Sequence, residues 1–397
     1  MSETSGRMIG RLADFGTIEA HQHAAYSSAF VRRMIEAGGE YVSPRSGVRY
    51  RIPSDFGFCY GVEKSIDMAF ETLNRFPKRR IFLTHEVIHN PRVTRDLKKQ
   101  NVSVLVRDER GRLDLSAVES EDVVVIAAFG ARREDVEALK QRGCLLVDTT
   151  CGAIVRVWKR VEAYAKKGFT SVIHGVFRHE EVQATASQTA SFGGHYLVIR
   201  DLEEASMIGR FLEGEMNAED FVRRYDGKAS EGFDPRRDLD RVGIASQTTM
   251  FKSETLKIQD ALAETYRKIY GAEAFGEHFM IYDTICSATQ ERQDALAKLL
   301  EEPHDLFLVI GGFASSNTTH LSEIASARVP TYHIEGAEDI LSAGCVRHMD
   351  PGDRKVHETR GWLAPGVKSV GLTTGASTPD VCIEEVIVRL EHYLEGR

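Results

Sequence analysis

The chain has no run of 18 or more apolar residues, no CxxC pair and no GxGxxG following a strand-like run. The first absence excludes a membrane-spanning helix, the second a local thiol pair for zinc or disulfide exchange, and the third a dinucleotide-binding turn. The first 30 residues hold acids and lack both the apolar core of a secretory signal and the composition of a transit segment, which predicts a cytoplasmic protein. A basic face is also missing, because acids and bases are interspersed to a formal net charge of -8. That argues against nucleic-acid and anionic-membrane partners. PKRR at 77–80, the densest basic cluster, reads as a solvated loop between a helix and a strand.

What is present is enough apolar material, 42% of 397 residues, to fill more than one core. Six cysteines (Cys59, Cys144, Cys151, Cys286, Cys345 and Cys382) are too sparse for a disulfide framework. Any that act together must meet from distant parts of the chain.

Past residue 50 one theme recurs nine times: a short strand-like run, a polar or Gly-containing turn, then a segment of helical period. This is the pattern of parallel α/β structure. The turns fall into sets of three. The first, fourth and seventh carry Cys59, Cys151 and Cys286. The second, fifth and eighth carry His89-Asn90, His179-Glu180-Glu181 and Ser315-Ser316-Asn317. The third, sixth and ninth carry Gly130-Ala131, Thr248-Thr249 and Ser377-Thr378. Ligands in parallel sheets bind beyond the carboxyl ends of the strands, beside helix N-termini. The pattern therefore predicts three small pseudo-symmetric α/β domains with mainly parallel sheets around one shared site. Their expected bounds are 49–149 with Cys59, 150–283 with Cys151 and 284–397 with Cys286, after an N-terminal extension at 1–48. Cys144 opens a strand, Cys345 reads as a loop residue and Cys382 lies in the last helix, so these three read as structural.

A helix N-terminus favours the thiolate form of cysteine, the form that ligates metal. Three such thiolates leave one position open on a tetrahedral zinc or on an iron-sulfur cluster, and an open position implies chemistry. Three sulfurs without a partnering His or carboxylate at ligand spacing lean toward the cluster. The Ser, Thr and Asn turns suit a phosphate or diphosphate, although each alone also suits a plain helix cap. HEE at 179–181 places an imidazole and a carboxylate at one turn, where they can relay protons.

GFCYGV at 57–62, HEVIHN at 85–90, DTTC at 148–151, HEEVQAT at 179–185, SQTT at 246–249, DTICSATQERQ at 283–293, SSN at 315–317 and TTGASTPD at 373–380 resemble the 4-hydroxy-3-methylbut-2-enyl diphosphate reductase family, the last enzymes of the methylerythritol phosphate isoprenoid pathway. FLTHEVIHNP, TMFKSET and GGFASSNT are most similar to its plant and cyanobacterial branch. The resemblance implies three α/β domains around a [4Fe-4S] cluster with Cys59, Cys151 and Cys286 as ligands and one iron site open. It implies reductive dehydroxylation of an allylic diphosphate to isopentenyl and dimethylallyl diphosphate, with electrons from ferredoxin or flavodoxin. It assigns proton relay to Glu181 with Thr248 and His179 beside it. His89, His179, Thr248, Ser315, Ser316, Asn317 and Ser377 should contact substrate.

Two positions depart from the family pattern. Phe129 stands where many bacterial members have a histidine, which removes one diphosphate donor. Gly152 stands where proline generally follows the second cluster cysteine, which frees the backbone there. Two other functions compete with the reductase. One is a non-redox hydro-lyase acting on a phosphorylated substrate through a cluster or zinc. The other is a cluster-binding sensor without turnover, against which the retained Glu181, Thr248 and phosphate-type turns argue.

Overall fold

Leu306–Ile310 reads LFLVI and every residue of it is buried, as a strand covered on both faces requires. The same is true of Val123–Ile126, Thr170–His174 and Val242–Ser246. In the computed structural model, which describes residues 8–9, 23–108 and 111–394, these strands lie within three sheets. One sheet orders Met8–Ile9, Leu145–Asp148, Val123–Ile126, Ile81–Leu83 and Val102–Val104, parallel from the first through the fourth. A second orders Phe279–Ile281, Val242–Ser246, Thr170–His174 and Tyr196–Ile199, parallel throughout. The third has a parallel centre of Thr331–Ile334, Leu306–Ile310, Ser369–Thr374 and Arg49–Arg51. Antiparallel strands flank that centre: Glu40–Val42 on one side, and Cys345–Met349 with Ile340–Ser342 and Val356–Arg360 on the other. The fold is mixed α/β with mainly parallel sheets, as the sequence pattern requires.

The chain packs as two compact units. The first holds residues 8–9, 78–85, 103–108 and 111–286, and so includes the second sheet and nearly all of the first. The second holds residues 23–77, 86–102 and 287–394, and includes the third sheet. Burying side chains such as Phe307, Leu308, Val370 and Leu372 stabilises the second unit by roughly 1.5–3 kcal/mol each. Among the described residues no helix is long and apolar enough to cross a membrane.

Three placements differ from the linear reading of the sequence. Arg49–Arg51, read as the first strand of a domain at 49–149, pairs parallel to Ser369–Thr374 in the third sheet. Its alternating exposed and buried residues suit a strand near a sheet edge, and nothing local specifies which distant strand it joins. The described parts of the extension are built into the units: Met8–Ile9 joins the first unit's sheet, and Val31 and Met34 on the helix Ala29–Glu36 enter the main core cluster of the second. Residues 1–7 and 10–22 of the extension lie outside the described residues. Cys345, read as a loop residue, begins the strand Cys345–Met349, which forms a hairpin with Val356–Arg360.

Candidate functional site

All nine turns do precede helices. In the first unit, two of them present cysteines by the same local device. Asp148 Oδ1 accepts the Thr150 N–H at 2.9 Å, and Asp283 Oδ1 accepts the Ile285 N–H at 3.1 Å. Each is an Asx turn, in which the carboxylate closes the backbone two residues on. The threonine between is tied to the neighbouring strand or its end. Thr149 Oγ1 donates to Ile126 O at 2.6 Å, and Thr284 Oγ1 accepts the Ser246 N–H at 2.8 Å. In DTTC and DTIC alike, the cysteine is therefore delivered to a fixed point. Cys151 is the N-cap of Gly152–Lys166, and Cys286 stands one residue before Ser287–Leu299.

Between these turns lies the acid. Glu181 sits in the first turn of Glu180–Ser191 and is 2% exposed. Its Oε1 accepts the Thr248 N–H at 2.6 Å and its Oε2 accepts the Thr248 hydroxyl at 2.9 Å. Burial pushes its pKa from 4.5 up to about 7, against the lowering effect of the two Thr248 bonds. Thr248 also accepts, through its carbonyl, the Cys286 N–H at 3.2 Å. His179 caps the same helix, its Nδ1 accepting the Glu181 N–H at 3.2 Å. In the neutral ring this leaves the proton on Nε2, so the ring can donate. Phe129 lies edge-on to both His179 and His85, at centroid distances of 5.7 and 6.3 Å. The first unit thus gathers Cys151, Cys286, His179, Glu181 and Thr248.

The second unit assembles a different set. Ser315 caps Ser316–Ser326 by accepting the Thr318 N–H, and the Ser377 hydroxyl donates to the His89 carbonyl at 3.3 Å and lies within hydrogen-bond reach of Ser315 Oγ, also at 3.3 Å. Asn317 is 3% exposed; its Oδ1 accepts the Ala376 N–H at 2.8 Å, and its buried Nδ2 has no partner among the described residues. The Ala376 carbonyl in turn accepts the Cys59 N–H at 3.1 Å, which joins this donor set to the third cysteine turn. Cys59 caps Tyr60–Arg75 as Cys151 caps its own helix. The packing is close enough that a Cβ on Gly375 would stand 2.0 Å from Thr318 Oγ1, so only glycine fits there. His89 is buried in this unit, and Ser316 lies half-buried at the start of its helix.

The cysteines read as structural behave so where they are buried. The Cys144 thiol donates to Leu139 O at 3.3 Å, and burial pushes the Cys382 thiol up to about 12. Cys59, Cys151 and Cys286 are all half-buried thiols rather than disulfide halves. A thiol at a helix start is favoured as the thiolate, the form that ligates metal or an iron-sulfur cluster. A buried guanidinium, Arg292, donates to carbonyls of the Cys59 turn, and sequence reasoning missed it. Glu335 was missed too: its Oε1 accepts the Phe313 N–H at 3.1 Å, steadying the loop before Ser315. For both the signal was weak, since charged residues in a helix and after a strand usually face solvent.

Parallel strands ending in an acid, a hydroxyl-rich donor set and half-buried thiols belong to an enzyme of the α/β class. A family model for the LytB protein matches residues 51–391, and the chain belongs to that family. It is 46% identical over 373 residues to a 4-hydroxy-3-methylbut-2-enyl diphosphate reductase of Synechococcus sp. strain RCC307, covering 94% of this chain and 90% of that one. It is 45% identical over 371 residues to the protein of the same name from Gloeobacter violaceus, covering 92% and 88%. The solved E-1-hydroxy-2-methyl-but-2-enyl-4-diphosphate reductase from Plasmodium falciparum matches with a TM-score of 0.64 at 21% identity, over 85% of this chain and 86% of that chain, a likeness of fold.

Proposed function

We propose that this chain reduces (E)-4-hydroxy-3-methylbut-2-enyl diphosphate to isopentenyl and dimethylallyl diphosphate. Substrate, two electrons and two protons give either product and one water. We further propose that Cys59, Cys151 and Cys286 hold a [4Fe-4S] cluster with one open iron site. When bound, such a cluster supplies one-electron chemistry and a Lewis-acid position for the hydroxyl that leaves. Ferredoxin or flavodoxin is the matching class of electron donor.

The chain's own residues handle the anion and the protons. In this reading Ser315, Ser316, Asn317, Ser377 and His89 take the diphosphate, whose oxygens would satisfy the orphaned Asn317 Nδ2. Glu181 delivers protons: with its pKa raised to about 7, both its protonated and its charged forms are populated near neutral pH, so it can take up a proton and give it up. The Thr248 hydroxyl, bonded to that carboxylate, can pass a proton onward, and the Nε2–H of neutral His179 offers a donor at the same turn.

The single observation that carries this reading is the buried Glu181–Thr248 pair in the same unit as two cysteine turns built by one device. Metal analysis of anaerobically purified protein, with its absorption spectrum, tests the cofactor. A brown protein with iron and acid-labile sulfide is expected, whereas a colourless zinc protein contradicts the reading.

A further inference from the structure

Arg292 is 5% exposed on the helix Ser287–Leu299. Its Nη1 donates to Ala288 O at 2.9 Å in its own helix, and its Nη2 donates to Gly57 O at 2.9 Å and Phe56 O at 3.4 Å. Among the described residues its buried Nε has no hydrogen-bond partner and no carboxylate pairs with the side chain. Other arginines here behave differently: Arg80, Arg107, Arg237 and Arg347 all bond to aspartates. A buried ion without a counter-charge is costly, and carbonyl dipoles offset only part of that cost.

The carbonyls it grips belong to the turn that delivers Cys59. That turn is held at two more points, by the Gly57 N–H donating to Thr374 Oγ1 at 2.7 Å and the Cys59 N–H donating to Ala376 O at 3.1 Å. Gly57 takes φ +76, a left-handed conformation that glycine adopts readily and other residues rarely do. The same helix that carries Arg292 starts directly after Cys286 in the chain.

We propose that Arg292 is a positioning residue for Cys59 and the buried counter-charge of the anionic iron-sulfur cluster which that thiol holds. The proposal rests on the function proposed above and adds to it a residue outside the cysteines, the acid and the diphosphate set. The fork geometry of the guanidinium sets the turn, and its charge favours the more negative, reduced form of the cluster.

The test uses full-length, cluster-loaded protein purified anaerobically, with R292Q, R292K and T374V beside the wild type. Two quantities are read: the midpoint potential of the cluster and the rate of iron release to a chelator. R292Q is expected to move the potential to more negative values and to speed iron release by about tenfold or more. R292K keeps the charge but loses the fork, so it is expected to keep the potential near wild type while releasing iron faster. T374V loosens the same turn without touching the charge and should behave like R292K, which keeps the test open if Arg292 variants fold poorly. Wild-type potential and release rate in R292Q overturn the proposal. So does a shift of potential in T374V as large as that in R292Q, because a merely structural role would then suffice. An iron-free wild type contradicts the proposed function and takes this proposal with it, whereas an iron-loaded wild type with an unaltered R292Q contradicts this proposal alone.

Discussion

The two units solve opposite hydrogen-bonding problems with the same strand–turn–helix part. In the first, the turn after Thr170–His174 supplies a carboxylate, Glu181, and the turn after Val242–Ser246 supplies one donor to each of its oxygens. In the second, the turns after Leu306–Ile310 and Ser369–Thr374 supply hydroxyls and an amide, and Asn317 Nδ2 keeps an unused donor. A buried acid with its bonds already made has its pKa set by the fold and handles protons. A buried donor without an acceptor waits for an anion. The difference teaches that position in the fold selects where chemistry happens, while the balance of donors and acceptors selects which chemistry.

Removing the carboxylate breaks the first side of this comparison most severely. E181Q is expected to lower kcat by about 10²–10⁴-fold, the usual worth of a positioned acid, with the cluster spectrum and substrate binding kept. Steady-state kinetics beside a binding titration check this. The second side breaks with N317A, which removes the Nδ2 donor and the acceptor of the Ala376 N–H. A hydrogen bond to a charged group is worth about 1.5–3 kcal/mol, so substrate or product affinity should fall by roughly 10- to 150-fold, with KM affected more than kcat.

The pH dependence sharpens the comparison, because burial raises the acid of the first unit's site to about 7. Glu181 acts as an acid when protonated, so kcat should fall as pH rises through about 7. Its folded pKa lies above its unfolded one, so its contribution to stability is full below 4.5 and is lost as pH rises through about 7. In T248V one bond to the charged carboxylate is gone, and the falling limb should move to higher pH. A pH–rate series for both proteins reads the shift.

The smallest effect concerns Gly152, the residue after Cys151. It is the first residue of its helix, a Cβ there meets nothing within 4 Å, and Cys151 takes φ -59 and ψ 135, which suits a residue before proline. G152P should therefore stabilise the protein by about 0.4–1 kcal/mol by restricting the unfolded chain. Thermal unfolding of the two proteins measures it.

Much of this was legible in the sequence because it is local. Turn chemistry and helical period lie within a dozen residues, so the strand-to-helix positions of Cys59, Cys151, Cys286, Glu181 and Ser315 could be read directly. Pairing across the chain could not. The period of Arg49–Arg51 is compatible with any sheet edge, and its partner Ser369–Thr374 lies more than 300 residues on. The helix Ala29–Glu36 was hidden for a related reason, since its two core residues gain meaning only against the C-terminal part of the chain. Arg292 was illegible because its partners are backbone carbonyls, which no residue type announces.

The activity proposed for this chain is a reductive dehydroxylation. The most direct test is anaerobic incubation of the full-length protein with reduced viologen and (E)-4-hydroxy-3-methylbut-2-enyl diphosphate, following viologen colour and products. Viologen oxidation that depends on substrate is expected, at two electrons for each molecule of isopentenyl or dimethylallyl diphosphate formed. Substrate bound without viologen oxidation, or converted by loss or addition of water alone, would contradict the proposed activity.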